Sequence, residues 1–215
     1  MSDITTLREA LVEEVKDLYN AEKQLTKALP KLAKNATNPK LREALLSHLR
    51  ETEGQIERLE QVFQLLDEKP KGKLCEGIQG IIEEGNAMLG EVEEGPVMDA
   101  CIIAAGQKSE HYEIASYGTC IAWAEAAGLG DVAELLQQTL TEEETADKKL
   151  SAIAEAGINE AATAGEEDED AEDDEEDEDT EEEPAASRRA SAAVMSAGRS
   201  AKGAKNGRSR ANSRR

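Results

Sequence analysis

The sequence predicts an all-α protein: a four-helix bundle with one long crossover, followed by a C-terminal tail without a core of its own. Three observations carry this. Four long segments place apolar residues at alternating steps of three and four, the spacing that lines one face of a helix. Aromatic residues are only 2 % of the chain, so the core is built from Leu, Ile, Val and Ala, which suits packed helices better than sheets. Two of the three connections between these segments are short turns, and the third is far longer than the usual few residues.

The first helix spans about 4–35, with Leu7, Leu11, Val15, Leu18, Leu25, Leu29 and Leu32 on one face. Asp3 or Thr5 is its expected cap, and Pro30 is expected to bend or shorten it. Asn35 to Pro39 forms a turn, with Asn38 as N-cap and Pro39 as first residue of the second helix, 39–67. Its stripe holds Leu41, Leu45, Leu59, Val62 and Leu66. The stretch 68–96 is rich in glycine, and Ile78, Ile81, Ile82 and Leu89 predict one short helix inside it. A third bundle helix covers about 96–127, ended by Gly128-Leu-Gly130. Asp131 is the expected cap of the fourth, 131–156, with Gly157 as its stop.

Short turns make helices one and two antiparallel, and likewise three and four. The connection 68–96 is long enough to cross the bundle, so helix three runs parallel to helix two. One such crossover distinguishes a ferritin-like bundle from a simple up-and-down one. The bundle therefore occupies 1–160.

The remainder differs in kind. The chain's net charge of −22 is unevenly spread: residues 166–183 hold sixteen acids and no base, and 184–215 hold nine Lys/Arg and no acid. Neither stretch has apolar periodicity, so 161–187 reads as an acidic disordered linker and 188–215 as a basic disordered tail. The basic tail offers weak contact with nucleic-acid phosphates, or with the acidic run beside it. Without interleaved aromatics it has no stacking mode. The acidic, amphipathic N-terminus is not a signal peptide, and no apolar run approaches a bilayer's thickness. Cys75, Cys101 and Cys120 fit neither a zinc site nor a disulfide framework. A cytoplasmic protein with no membrane contact is expected.

Each apolar stripe is interrupted near mid-helix. Continued at helical spacing, the first reaches Glu22, the second His48, Thr52 and Gln55, the third Gln107 and His111 with Glu110 beside them, and the fourth Glu143 and Asp147. Glu22 and Thr52 lie equally far from the turn near 37, and Glu110 and Asp147 almost equally far from the turn near 129. Within an antiparallel pair, equal distance from the turn means equal height. The polar residues therefore form one layer. Converging carboxylates repel one another and are costly to bury unpaired, and a divalent cation removes that repulsion. Carboxylate oxygens with imidazole suit iron or manganese. A metal-free polar layer that fixes helix register is the alternative.

The segments KDLYNAEKQLTKALPKLAKNA (16–36), HLRETEGQIERLEQVF (48–63), AAGQKSEHYEIASYGT (104–119) and LLQQTLTEEETADKKL (135–150) resemble the YciE/YciF-type branch of ferritin-like stress proteins over about 1–160. The resemblance implies a ferritin-like fold, a homodimer and an association with bacterial stress. It assigns no reaction. Dimetal ferritin-like enzymes supply Glu-x-x-His twice. Here Glu51 is followed at three by Gly54, and Glu144 by Asp147. The candidate metal ligands are Glu22, Glu51, Glu110, His111, Glu143 and Asp147.

Three functions follow as expectations. One is a stress-linked protein with a mono- or dinuclear Fe or Mn centre, acting on peroxide or oxygen. The second is a non-catalytic dimeric scaffold. The third is a nucleic-acid-associated protein working through its basic tail.

Overall fold

The computed structural model describes residues 4–164, whose regular elements are all helices, with no strand among them. The helices are α1 (Leu7–Asn35), α2 (Pro39–Leu65), α3 (Glu76–Leu89), α4 (Pro96–Ala126) and α5 (Gly130–Ile153). The expected acidic linker and basic tail lie outside the described residues, except that 161–164 continue the last helix.

Local chemistry sets the ends. Thr6, not Asp3 or Thr5, caps α1: its hydroxyl accepts from Glu9 N at 3.2 Å, while Glu9 Oε2 accepts from Thr6 N at 2.9 Å. The capping box needs an acid three residues on, and only Thr6 has Glu9 there. Pro30 does not shorten α1, which continues to Asn35. Asn38 caps α2 with Pro39 behind it, as expected. Leu129, not Asp131, occupies the cap position of α5, and no side chain caps that end. Gly157 breaks the helical run as expected: its φ of +128° is non-helical and makes a kink, beyond which a further short helical stretch follows. Ala154 and Ile158, on either side of the kink, are both buried.

In the bundle, α1 packs on α2 and α4, and α5 packs on α4 and α2. The crossover helix α3 lies across α4 and α1. Its attachment is polar as well as apolar. Gln24 on α1 donates to Cys75 O at 3.0 Å, Asn20 accepts from Cys75 N at 2.9 Å, and the Cys75 thiol meets the Tyr112 hydroxyl of α4 at 3.1 Å. At Gly77 a Cβ would come within 2.5 Å of the Tyr112 ring, so only glycine permits this approach. All three cysteines are free; Cys75 and Cys120 are buried.

The apolar core is in two parts. One gathers Leu11–Tyr19, Leu59–Leu66, Tyr117–Ala124 and Val132–Leu136 at one end. The other gathers Leu25–Ala33, Leu41, Leu45, Ile78, Ile102 and Leu150 at the opposite end. The starts of α2 and α4 share the second cluster, so these helices run parallel, as the crossover requires.

Candidate metal centre

Between the two cores lies a polar layer. Glu22, His48, Thr52, Gln55, Glu110, Glu113, Thr139 and Glu143 are all buried there. On α1 and α2 the expected stripes are buried, apart from exposed Leu7 and half-buried Leu32 at the two ends of α1. On α4 the inward face is rotated by about one residue, whereas on α5 Glu143 is buried as expected and Ala146 takes the place of Asp147. The buried seam of α4 runs through Gly106, Glu110, Glu113 and Tyr117, and that of α5 through Thr139, Glu143, Ala146 and Leu150.

That rotation redistributes the expected ligands. Glu22, Glu110 and Glu143 converge. His48 and Glu113 join them, Glu113 being a residue the sequence reading did not single out. Ligand atoms of His48, Glu110, Glu113 and Glu143 all lie within 4.8 Å of one another. His111 and Asp147 are placed elsewhere. The His111 ring is 69 % exposed, and its Nε2 meets Asp147 Oδ1 at 3.3 Å. Asp147 also accepts from Gln107 at 3.0 Å. Glu51 is half-exposed and meets His48 Nδ1 at 3.4 Å. The other face of the same ring enters the layer: His48 Nε2 is 3.3 Å from Glu110 Oε1 and 3.6 Å from Glu143 Oε2. A carboxylate on the outer nitrogen is the usual way to fix the orientation of a metal-binding imidazole.

Other polar groups border the layer. Tyr117 donates to Glu22 Oε1, and Gln55 to Glu143 Oε1. Arg58 pairs with Glu142 at 2.8 Å and donates to Thr139 at 2.7 Å. Tyr112, outside the layer, donates to Asp17 at 2.9 Å.

These bonds leave much unsatisfied. Glu22 Oε2, Glu110 Oε2, both oxygens of Glu113 and Glu143 Oε2 accept no hydrogen bond among the described residues. Burial, followed by the charge of Glu143, pushes the Glu22 carboxyl up to about 8. Burial and the neighbouring carboxylates also drive Glu110 and Glu113 well above the usual range. His48 is drawn in two directions. Burial lowers its proton affinity, but the bond with Glu51 and the charge of Glu143 outweigh it, so the net shift is upward. Each shift expresses one fact: the layer holds more negative charge than its surroundings can solvate. Buried oxygen atoms without donors, plus one imidazole nitrogen and no thiol in the cluster, form a donor set that fits a divalent cation.

Residues 6–163 match a family described as a domain of unknown function, DUF892. The chain belongs to the DUF892 family. A curated relative, Protein YciF of Escherichia coli (strain K12), is 45 % identical over 161 residues, covering 74 % of this chain and 97 % of that protein. The crystal structure of the E. coli stress protein YciF matches with a TM-score of 0.70 at 45 % identity, covering 73 % of this chain and 99 % of the other. The structure of YcfI from Rhodopseudomonas palustris matches with a TM-score of 0.68 at 49 % identity, covering 69 % and 95 %. The DUF892 domain of this chain is thus a YciF-like helical domain with a buried group of one histidine and three glutamates. No helix among the described residues is long and apolar enough to cross a membrane.

Proposed function

We propose that this chain is a stress-linked, ferritin-like metalloprotein whose polar layer binds one or two Fe or Mn ions. The observation that carries the reading is the set of buried carboxylate oxygens without donors, grouped around His48. Glu22, His48, Glu110, Glu113 and Glu143 are the proposed holders. Four carboxylates match the charge of two divalent cations, which favours a dinuclear centre. Such a centre supplies electron exchange with peroxide or oxygen when bound. The protein's own groups do the rest. His48 is oriented by Glu51, Glu22 by Tyr117, and Glu143 by Gln55. The two apolar clusters on either side keep bulk water from the layer.

The test is elemental analysis of purified protein, followed by titration of chelator-stripped protein with Mn(II) or Fe(II). Saturable uptake that Glu113→Gln and Glu143→Gln each weaken supports the proposal. Absence of uptake by the parent leaves the register-fixing scaffold. The stress association is extended here from the E. coli relative. The proposed assembly is a homodimer, for which exposed Ile4, Leu7 and Leu65 offer apolar surface. Light scattering of the full chain tests it.

A further inference from the structure

The layer can be approached through either of two opposite grooves, and they differ in chemistry. The α2/α5 groove contains a cavity of about 60 Å³, bordered by the charged Glu51 and Lys149 and by Thr145, with His48 and Glu110 at its inner end. The α1/α4 groove is covered by α3. Beneath that helix is a cavity of about 30 Å³. It reaches from exposed Asn86 past half-buried Ile81 and Ile82 and buried Leu25 and Leu29 to His48, Glu110 and Glu113. Both cavities end on the same two residues, His48 and Glu110.

A space of that size admits about two water-sized spheres, and an apolar lining disfavours water itself. An ion entering it would lose its hydration with nothing in return until it reached the carboxylates. A small uncharged molecule loses almost nothing.

We infer that α3 roofs a selective passage, by which an uncharged guest of two or three heavy atoms reaches the polar layer from the α1/α4 side. This assigns a role to the crossover helix, which contributes no residue to the layer. The close approach of Gly77 to Tyr112 and the bonds around Cys75 hold the roof in place, so the passage has fixed dimensions. Gly85 faces Ala105 across it, where a Cβ would come within 3.2 Å, so the space narrows at that point. The functional weight of the passage rests on the metal proposal; its existence as a guest site does not.

The test uses dissolved dioxygen as a paramagnetic probe of chelator-stripped protein, read as relaxation of methyl resonances. Methyls of Leu25 and Leu29 should relax several times more strongly per unit of oxygen than those of Leu59, Val62 and Leu136, which are comparably buried but in the other core. Equal enhancement in both sets would overturn the inference, and this comparison needs no variant. Ala28→Ile narrows the passage from α1. It should reduce the enhancement to the level of the reference methyls and leave Mn(II) uptake by calorimetry unchanged. Persistence of the enhancement in a folded Ala28→Ile protein would also overturn the inference. Oxygen concentrating beneath α3 in a protein that takes up no manganese would uphold the passage and remove the metal proposal instead.

Discussion

Glu113 follows Glu110 by one helical turn on α4, and both side chains are buried, yet neither Glu113 oxygen has a donor among the described residues. The surrounding carboxylates of Glu22, Glu143 and Glu110 all repel its ionised form. Such a residue is stable only when something neutralises it.

Glu113→Leu should therefore act oppositely with and without metal. In stripped protein it removes a buried charge and is neutral or stabilising. With Mn(II) present it loses the melting-temperature rise that the parent shows. His111→Ala is the contrasting change, because its ring is mostly exposed. It should alter stability by no more than about 0.5 kcal/mol and leave metal uptake intact. If metal content followed His111 rather than Glu113, the ligand set would be wrong.

The double change Glu22→Leu with Glu143→Leu places leucine on two seams already lined by Leu18, Leu25, Leu136 and Leu150. Relative to stripped parent, a gain of roughly 1–4 kcal/mol is expected. Relative to metal-loaded parent, a loss is expected, together with loss of bound Fe or Mn. Melting curves with and without added metal measure both. A stabilised variant beside a parent indifferent to metal would leave only the scaffold.

The layer also sets a pH dependence in stripped protein. Glu22 titrates near 8 in the fold against an ordinary 4.5, so its neutral form is the one the fold favours. The stability it contributes is full below its ordinary value and is lost as pH rises through its folded value. The upward shift of His48 acts with the same sign. Urea midpoints in chelator should therefore fall between about pH 5 and pH 8. Metal uptake should strengthen over the same interval, since the ligands must release protons. Midpoints rising with pH in chelator would contradict this.

At the far end of the bundle, Asp99 joins the first turn of α4 to the α1–α2 turn. Its carboxylate accepts from Thr37 N at 2.7 Å, from Asn38 N at 2.9 Å and from the Thr37 hydroxyl, and it is only 3 % exposed. Hydrogen bonds to a buried ionised acceptor are strong ones. Asp99→Ala should cost about 3 kcal/mol in urea unfolding, without affecting metal uptake.

The legibility of the fold varied with the contrast of each stripe. On α1 and α2, leucines stand among Lys, Glu and Arg, so one face is unambiguous and Glu22, His48, Thr52 and Gln55 were placed correctly. Helix α4 is different. Ile102, Ile103, Ala104 and Ala105 are consecutive, and small residues surround the rest, so several phases fit almost equally well. The expected phase put His111 inward and missed Glu113. The usable signal was polar: Gly106, Glu110, Glu113 and Tyr117 are themselves spaced by four, three and four. On α5 the buried position is Ala146 rather than Asp147, because a small alanine gives little apolar contrast against its polar neighbours. Asp131 has the residue type of a cap, but the cap position of α5 is decided by packing at the helix end, which composition does not encode.

The division of the apolar core into two clusters has a mechanical consequence. Each cluster is small, and the slab between them contributes repulsion rather than cohesion when no cation is present. Unfolding cooperativity must then pass from one half to the other mainly along the helix backbones. Local opening in the stripped chain is accordingly expected to begin within the slab and spread into one half before the other. A bound cation would act there as a rivet: it would turn two loosely communicating halves into a single unfolding unit.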